Sequence, residues 1–301
     1  MNGSQTALVV AALAAGSAAA LPAAAVAQTA APAAPTTLYE AFQQSLAEAP
    51  PGMVEYDSAT QLGDEGLELE GLRITTPEGD VIEIEHVRID SLELSSITED
   101  HPPAYMDLTV TGLHLPQSVL EEADLGPLGL TELTADIRID WNVDPDTMTL
   151  ALNEASFELP GLGTLNVDFS FANVAPGAMD QPMMLMAASI ASAHLSFDDD
   201  GLMAALIPAI AAEDQITEEQ VLQQFSEQMT QLRAMMGDEA GAPAIQGLDE
   251  IEAFVQDYEA PKGPLSISIE PGQPVPLAVF ADPNAASASA ETLNATITYG
   301  E

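Results

Sequence analysis

The chain has no cysteine, so disulfides, thiol nucleophiles and thiolate metal ligands are all closed to it, and its fold must rest on packing alone. Cations are almost as scarce. Arg73, Arg88, Arg138, Arg233 and Lys262 stand against 48 Asp and Glu, a formal net charge of -43. A surface of that sign repels a phosphate backbone, which excludes nucleic acid as a partner, and it lacks the clustered Lys and Arg that draw a protein to an anionic membrane. The carboxylates are spread rather than blocked, the pattern of a solvated surface suited to salty surroundings rather than of a dedicated cation site. Aromatic residues make up 5% of the chain, too few for the girdles of a membrane β-barrel.

Long apolar runs are confined to the start. Residues 7 to 27 form an Ala-rich stretch ending in small residues at Ala25 and Ala27, which reads as a secretory signal (1–27) cut near Ala27, although a basic leader is missing. Gly16, Ser17 and Pro22 interrupt the run, which weighs against a retained membrane anchor. Residues 28 to 37, rich in Ala and Pro, read as a disordered linker. The expected location is therefore periplasmic or secreted, with peripheral association with the envelope compatible with both. The 47% apolar content supplies a real core for the remainder.

Residues 38 to 200 read as a curved antiparallel β-sheet domain, and from Leu67 to Phe197 its dominant signal is strict two-residue alternation. Leu133, Ala135, Ile137, Ile139, Trp141 and Val143 alternate with Glu132, Thr134, Asp136, Arg138, Asp140 and Asn142, the pattern of a half-buried strand with one wet face. A turn at Asp144–Thr147 leads to a return strand at Met148, Leu150 and Leu152, and a corner at Pro160–Gly163 leads to Leu165, Val167, Phe169 and Phe171: an antiparallel meander. The alternation is broken by steps of three at Leu69–Leu72, Ile84–Val87, Ile89–Leu92, Val110–Leu113, Leu152–Ala155 and Ile190–Ala193. A β-bulge absorbs such a step while keeping the apolar residues on one side, and it bends the strand. The apolar pairs of Leu67–Ile97 also carry a five-residue period, but their bulk and the turn signal at Pro77–Asp80 favour a hairpin over a solenoid.

Residues 201 to 262 read as a helical insertion packing on the sheet. Thr217 and Gln220 form a capping box, and Val221, Leu222, Phe225, Met229, Leu232 and Met236 make one apolar stripe on a helix of about five turns. A second short helix is expected over Leu248–Tyr258 after a flexible segment, Gly237–Gly247. Strands return over residues 263 to 301, at Leu265–Ile269 and Leu293–Tyr299. The expected fold class is thus α+β, predominantly antiparallel β, with a strongly curved, bulged sheet covered by the helical insertion.

Chemistry-bearing motifs are absent. His86, His101, His114 and His194 have no metal-ligand spacing, and His114 and His194 fall on the polar parity of their strands. There is no nucleophile elbow, phosphate loop or dinucleotide fingerprint. Asp198, Asp199 and Asp200 could offer oxygen to Ca²⁺ but lack the spacing of an EF-hand loop, and an aspartate before a helix is sufficiently explained by capping. No metal and no cofactor is expected. The candidates for a core or lipid-facing surface are Leu133, Ile137, Ile139, Trp141, Phe169, Phe171, Phe225, Met229 and Leu232.

The runs Leu67–Ile74, Ile82–Leu92 and Asp107–Leu113 resemble the strand pattern of AsmA-like envelope proteins, and Leu133–Phe171 with Phe197–Leu202 resembles segments of uncharacterised proteobacterial exported proteins. The resemblance implies an envelope protein whose curved sheet offers an apolar concave face to lipid. Three readings follow: a non-enzymatic structural or protein-interaction module, with the apolar face a closed core filled by the Thr217 helix; a periplasmic carrier of lipid or another amphiphile; and a carboxylate-dependent hydrolase, for which no constellation of residues argues. The first is the leading expectation.

Overall fold

The computed structural model describes residues 34–76, 79–99, 101–122, 130–175, 186–236, 242–281 and 292–300. The expected signal and most of the expected linker lie outside these residues. The last four residues of that segment, 34–37, lie inside, and the last two of them start a helix. Thr37 caps a helix, α1 (Leu38–Glu48), its hydroxyl accepting from the Glu40 amide at 3.1 Å, while the Glu40 carboxylate takes the Thr36 amide and hydroxyl at 2.8 Å each. These bonds satisfy N–H groups that a helix start leaves orphaned.

The rest of the described chain builds one antiparallel sheet. After β1 (Val54–Glu55) and β2 (Ser58–Leu62), seven long strands follow as a meander: β3 (Gly66–Thr75), β4 (Val81–Leu92), β5 (Tyr105–Pro116), β6 (Glu132–Asp144), β7 (Thr149–Leu159), β8 (Gly163–Ala172) and β9 (Ser189–Asp199). Short helices α2 (Leu94–Glu99) and α3 (Gln117–Glu122) flank β5. Three helices then leave the sheet, α4 (Leu202–Asp214), α5 (Glu218–Met236) and α6 (Ala242–Gln256). β10 (Leu265–Ile269) pairs directly with β9, β11 (Val275–Pro276) also meets β9, and β12 (Ala295–Tyr299) adds to β10. The sheet has twelve strands among the described residues and is open, with β1 and β2 at one end and β12 at the other. The fold is the expected α+β class with a curved, bulged antiparallel sheet.

Register explains how one face stays apolar across so many strands. Directly paired residues of neighbouring strands project to the same side. One row therefore runs Leu69, Val87, Val110, Ile137, Phe157, Leu165, Phe197, Leu265, Tyr299, and the next runs Leu67, Ile89, Leu108, Ile139, Ala155, Val167, Leu195, Ile267, Ile297. Four of the steps of three are register shifts. Asp90, Asn153 and Ala191 are the extra residues in β4, β7 and β9, and in β5 Thr111 and Gly112 together oppose Asp136. At Leu69–Leu72 and Ile84–Val87 there is no register shift, because β3 and β4 step together and stay in phase.

Some expectations need correcting. Met148 is not part of the return strand: it has φ 52°, is 45% exposed, and leaves β7 to begin at Thr149. The turn before it is an aspartate turn, in which the Asp144 carboxylate accepts the amides of Asp146 at 2.9 Å and Thr147 at 3.3 Å. Much of the segment expected to be flexible is the start of α6, whereas residues 237–241 lie outside the described ones.

Candidate functional site

The apolar face is closed at its ends and half-open in its middle. At the β3 end, α1 and the flanking loops close a core in which Leu69, Leu72, Ile84, Val110 and Leu113 are at most 4% exposed. At the β12 end a second core joins Ile207, Val221, Phe254 and Tyr258 of the helical region to Phe197, Leu265 and Tyr299 of the sheet. A third, smaller core of Leu150, Val174 and Ala188 closes the lower rows, with Trp141, Phe169 and Phe171 packed against it. Between them Leu165, Val167 and Leu195 stay partly exposed although they share rows with fully buried residues, and Ile139 and Phe157 at the edge of the first core and Phe169 at the edge of the third are partly exposed too, around a buried Ala155. They form a partly exposed apolar strip three strand spacings across, about 14 Å.

The helical insertion covers the sheet at its β12 end. α6 packs on β12 and β10, and α5 packs chiefly against α4 and α6. The α5 capping box forms as read, Thr217 and Gln220 exchanging bonds of 2.9 and 3.2 Å. The N-terminal part of its apolar stripe, Val221, Leu222 and Phe225, belongs to the core that joins the helices to the β12 end of the sheet. Phe225 packs there, Met229 is half-buried, and Leu232 is 38% exposed, so Leu232 is not a core residue; Met235 beside it is 83% exposed. The insertion sits at that end because β10, the strand that follows it, pairs directly with β9, the strand before it.

The sheet candidates divide among the cores. Ile137 is buried and Ile139 packs on the first core; Leu133 is half-buried opposite Leu115. Phe169 and Phe171, with ring centroids 5.1 Å apart, line the third core beside Trp141. The Trp141 indole nitrogen is buried without a hydrogen-bond acceptor.

Asp198 and Asp200 are exposed, whereas Asp199 is 2% exposed. One Asp199 oxygen accepts the amides of Gly201 at 3.2 Å and Met203 at 3.1 Å, so the aspartate reading as a cap describes its role. Its other oxygen is buried and unpartnered. Among the described residues no group of three or more His, Asp and Glu is placed to hold a metal ion.

The opposite face carries the charge. Arg88 binds Asp90 at 2.6 Å and Glu68 at 3.4 Å; Arg138 binds Glu154 at 2.6 Å and lies 3.8 Å from Asp107. Burial pushes the Asp107 carboxyl above the usual range, against the pull of Arg138, and nearby Asp140, Asp90 and Glu154 push it the same way. The Arg88 bond holds Asp90 below that range. His86 contacts Glu68 at 3.0 Å across the β3–β4 pair, and His194 contacts the Ser268 hydroxyl at 3.0 Å. These cross-strand pairs depend on register and leave no trace in local spacing.

Comparison with known proteins adds little chemistry. A family model described as "Uncharacterized protein" matches residues 156–300, a span that starts inside β7 and takes in the helical region and the closing strands. No curated protein matches the chain. Among the described residues no helix is long and apolar enough to cross a membrane.

Proposed function

We propose that this protein is a non-enzymatic exported envelope protein that binds an amphiphile by laying its apolar chain in the trough of β6–β9. One observation carries the reading: the apolar rows that are sealed at both ends of the sheet are left partly uncovered between them. Covering such a floor with hydrocarbon gains roughly 25 cal/mol per Å² removed from water. The closed-core alternative needs α5 to fill the whole face, whereas the α5 residues packed with the sheet, Val221, Leu222 and Phe225, belong to the core at its β12 end. Pocket-like apolar concavities with few polar groups are where small apolar ligands bind.

Native mass spectrometry of gently purified protein, followed by solvent extraction, tests this. A stoichiometric adduct that extracts into organic solvent is expected; a clean apo mass that stays apo after incubation with a long-chain alcohol refutes it. A second reading, a protein-interaction module, draws support from the exposed Leu232, Met235 and Ile245 at the far end of α5 and the start of α6.

A further inference from the structure

We infer that the trough selects amphiphiles with an uncharged, oxygen-bearing head and discriminates against anionic ones of the same chain length; the inference rests on the amphiphile-binding reading above. The first argument is the disposition of the cations. All five are committed to carboxylates: Arg73 to Asp57 at 2.8 Å, Arg88 to Asp90 at 2.6 Å, Arg138 to Glu154 at 2.6 Å, Arg233 to Glu252 at 2.6 Å and Lys262 to Asp257 at 2.6 Å.

Position reinforces the count. Arg73, Arg88 and Arg138 alternate with the apolar rows of their strands and so project from the opposite face of the sheet, and Arg233 and Lys262 belong to α5 and to the segment after α6. A carboxylate or phosphate head in the trough would be stripped of water with no cation to receive it, inside a molecule of net charge -43. An uncharged head avoids both costs.

The lower rows do carry one unpartnered polar group. Trp141 sits in the row Trp141, Leu152, Phe169, and its indole N–H is enclosed with nothing to donate to. A buried donor without a partner is a standing cost that an arriving acceptor removes. An ester, carbonyl or hydroxyl oxygen that parts the side chains around the indole completes this bond, and a bare hydrocarbon does not. The head group is therefore expected at the Trp141 end, with the chain running over Val167 and Leu195.

Trp141 is the single tryptophan of the chain, so its emission and its indole N–H resonance report on the end at which the head group is placed. The experiment titrates the full-length protein, ¹⁵N-labelled, with decanol, methyl decanoate, decane and decanoate at pH 7.5 and low salt, reading tryptophan emission and the indole N–H resonance. Decanol and methyl decanoate are expected to bind at least about tenfold more tightly than decanoate, with the gap narrowing toward about 1 M salt as Coulombic repulsion is screened. The indole resonance is expected to move downfield with the two oxygen-bearing neutral probes and not with decane. Decanoate binding as tightly as decanol overturns the charge argument while leaving the amphiphile reading intact, and a decane response equal to that of the ester overturns the Trp141 assignment. If no probe binds, the amphiphile reading itself fails and the inference with it.

Discussion

Replacing Gly112 by alanine probes the bulge that keeps the rows aligned. Gly112 holds φ +64°, in the left-handed region, where a side chain costs about 1–2 kcal/mol. An added Cβ would stand 2.5 Å from Cγ and 2.9 Å from Cβ of Glu85. The exposed end of Glu85 can swing aside, but its Cβ is fixed to β4, so the two strands must separate slightly. The bond from the Gly112 amide to the Asp136 carboxylate, 2.7 Å, stretches with them. Together these place the loss at about 2–3 kcal/mol. Gly79→Ala is the control, because Gly79 has φ +95° and nothing within 4 Å of the added atom, so only backbone strain of about 1 kcal/mol remains. Urea unfolding of both variants measures the difference. Equal losses, or a Gly112→Ala loss under about 0.5 kcal/mol, would refute the claim that the bulge clamps β4, β5 and β6 in phase.

Asp199→Ala is expected to cost about 1–2 kcal/mol by uncapping α4, and Asp199→Asn, which keeps an acceptor, less than half of that; equal losses in a urea titration would remove the capping role. Asp107→Asn is expected to raise stability at pH 7, because burial lifts the Asp107 carboxyl and its ionisation therefore penalises the folded state. That gain must shrink as pH falls and Asp107 protonates in both states, which unfolding midpoints across the acid range will show or deny. Stability should climb between about 0.1 and 1 M salt, as the screening length drops from about 10 to 3 Å. Insensitivity of the melting temperature to salt would show that the excess of carboxylates imposes no self-repulsion.

The sheet was legible wherever one face is wet. In β6 each apolar residue is followed by a polar one, and the steps of three at Val110–Leu113 and Leu152–Ala155 mark real bulges because the neighbouring strands β6 and β8 keep their two-residue repeat there. α1 was not read, although Thr37 and Glu40 carry a capping box, because the Ala and Pro before them dominate that stretch. The trough was hidden for a different reason. Val110 and Val167 have the same local pattern, and only the distribution of helices over the finished sheet makes one sealed and the other partly open. Ion pairs such as Arg138 with Glu154 and the unpartnered Trp141 indole likewise arise from pairing between strands.

Whether the middle of the apolar face is open decides the account, and paired enlargements measure it without any ligand. Val110, 0% exposed, and Val167, half-buried, are each replaced by phenylalanine and unfolded in urea. Overpacking a closed core costs about 1–3 kcal/mol or more, whereas a side chain added to an open trough finds room. The account predicts that Val110→Phe loses at least that much and that Val167→Phe stays within about 0.5 kcal/mol of the parent. Equal losses at the two positions would mean that the face is sealed throughout and that no amphiphile lies on it.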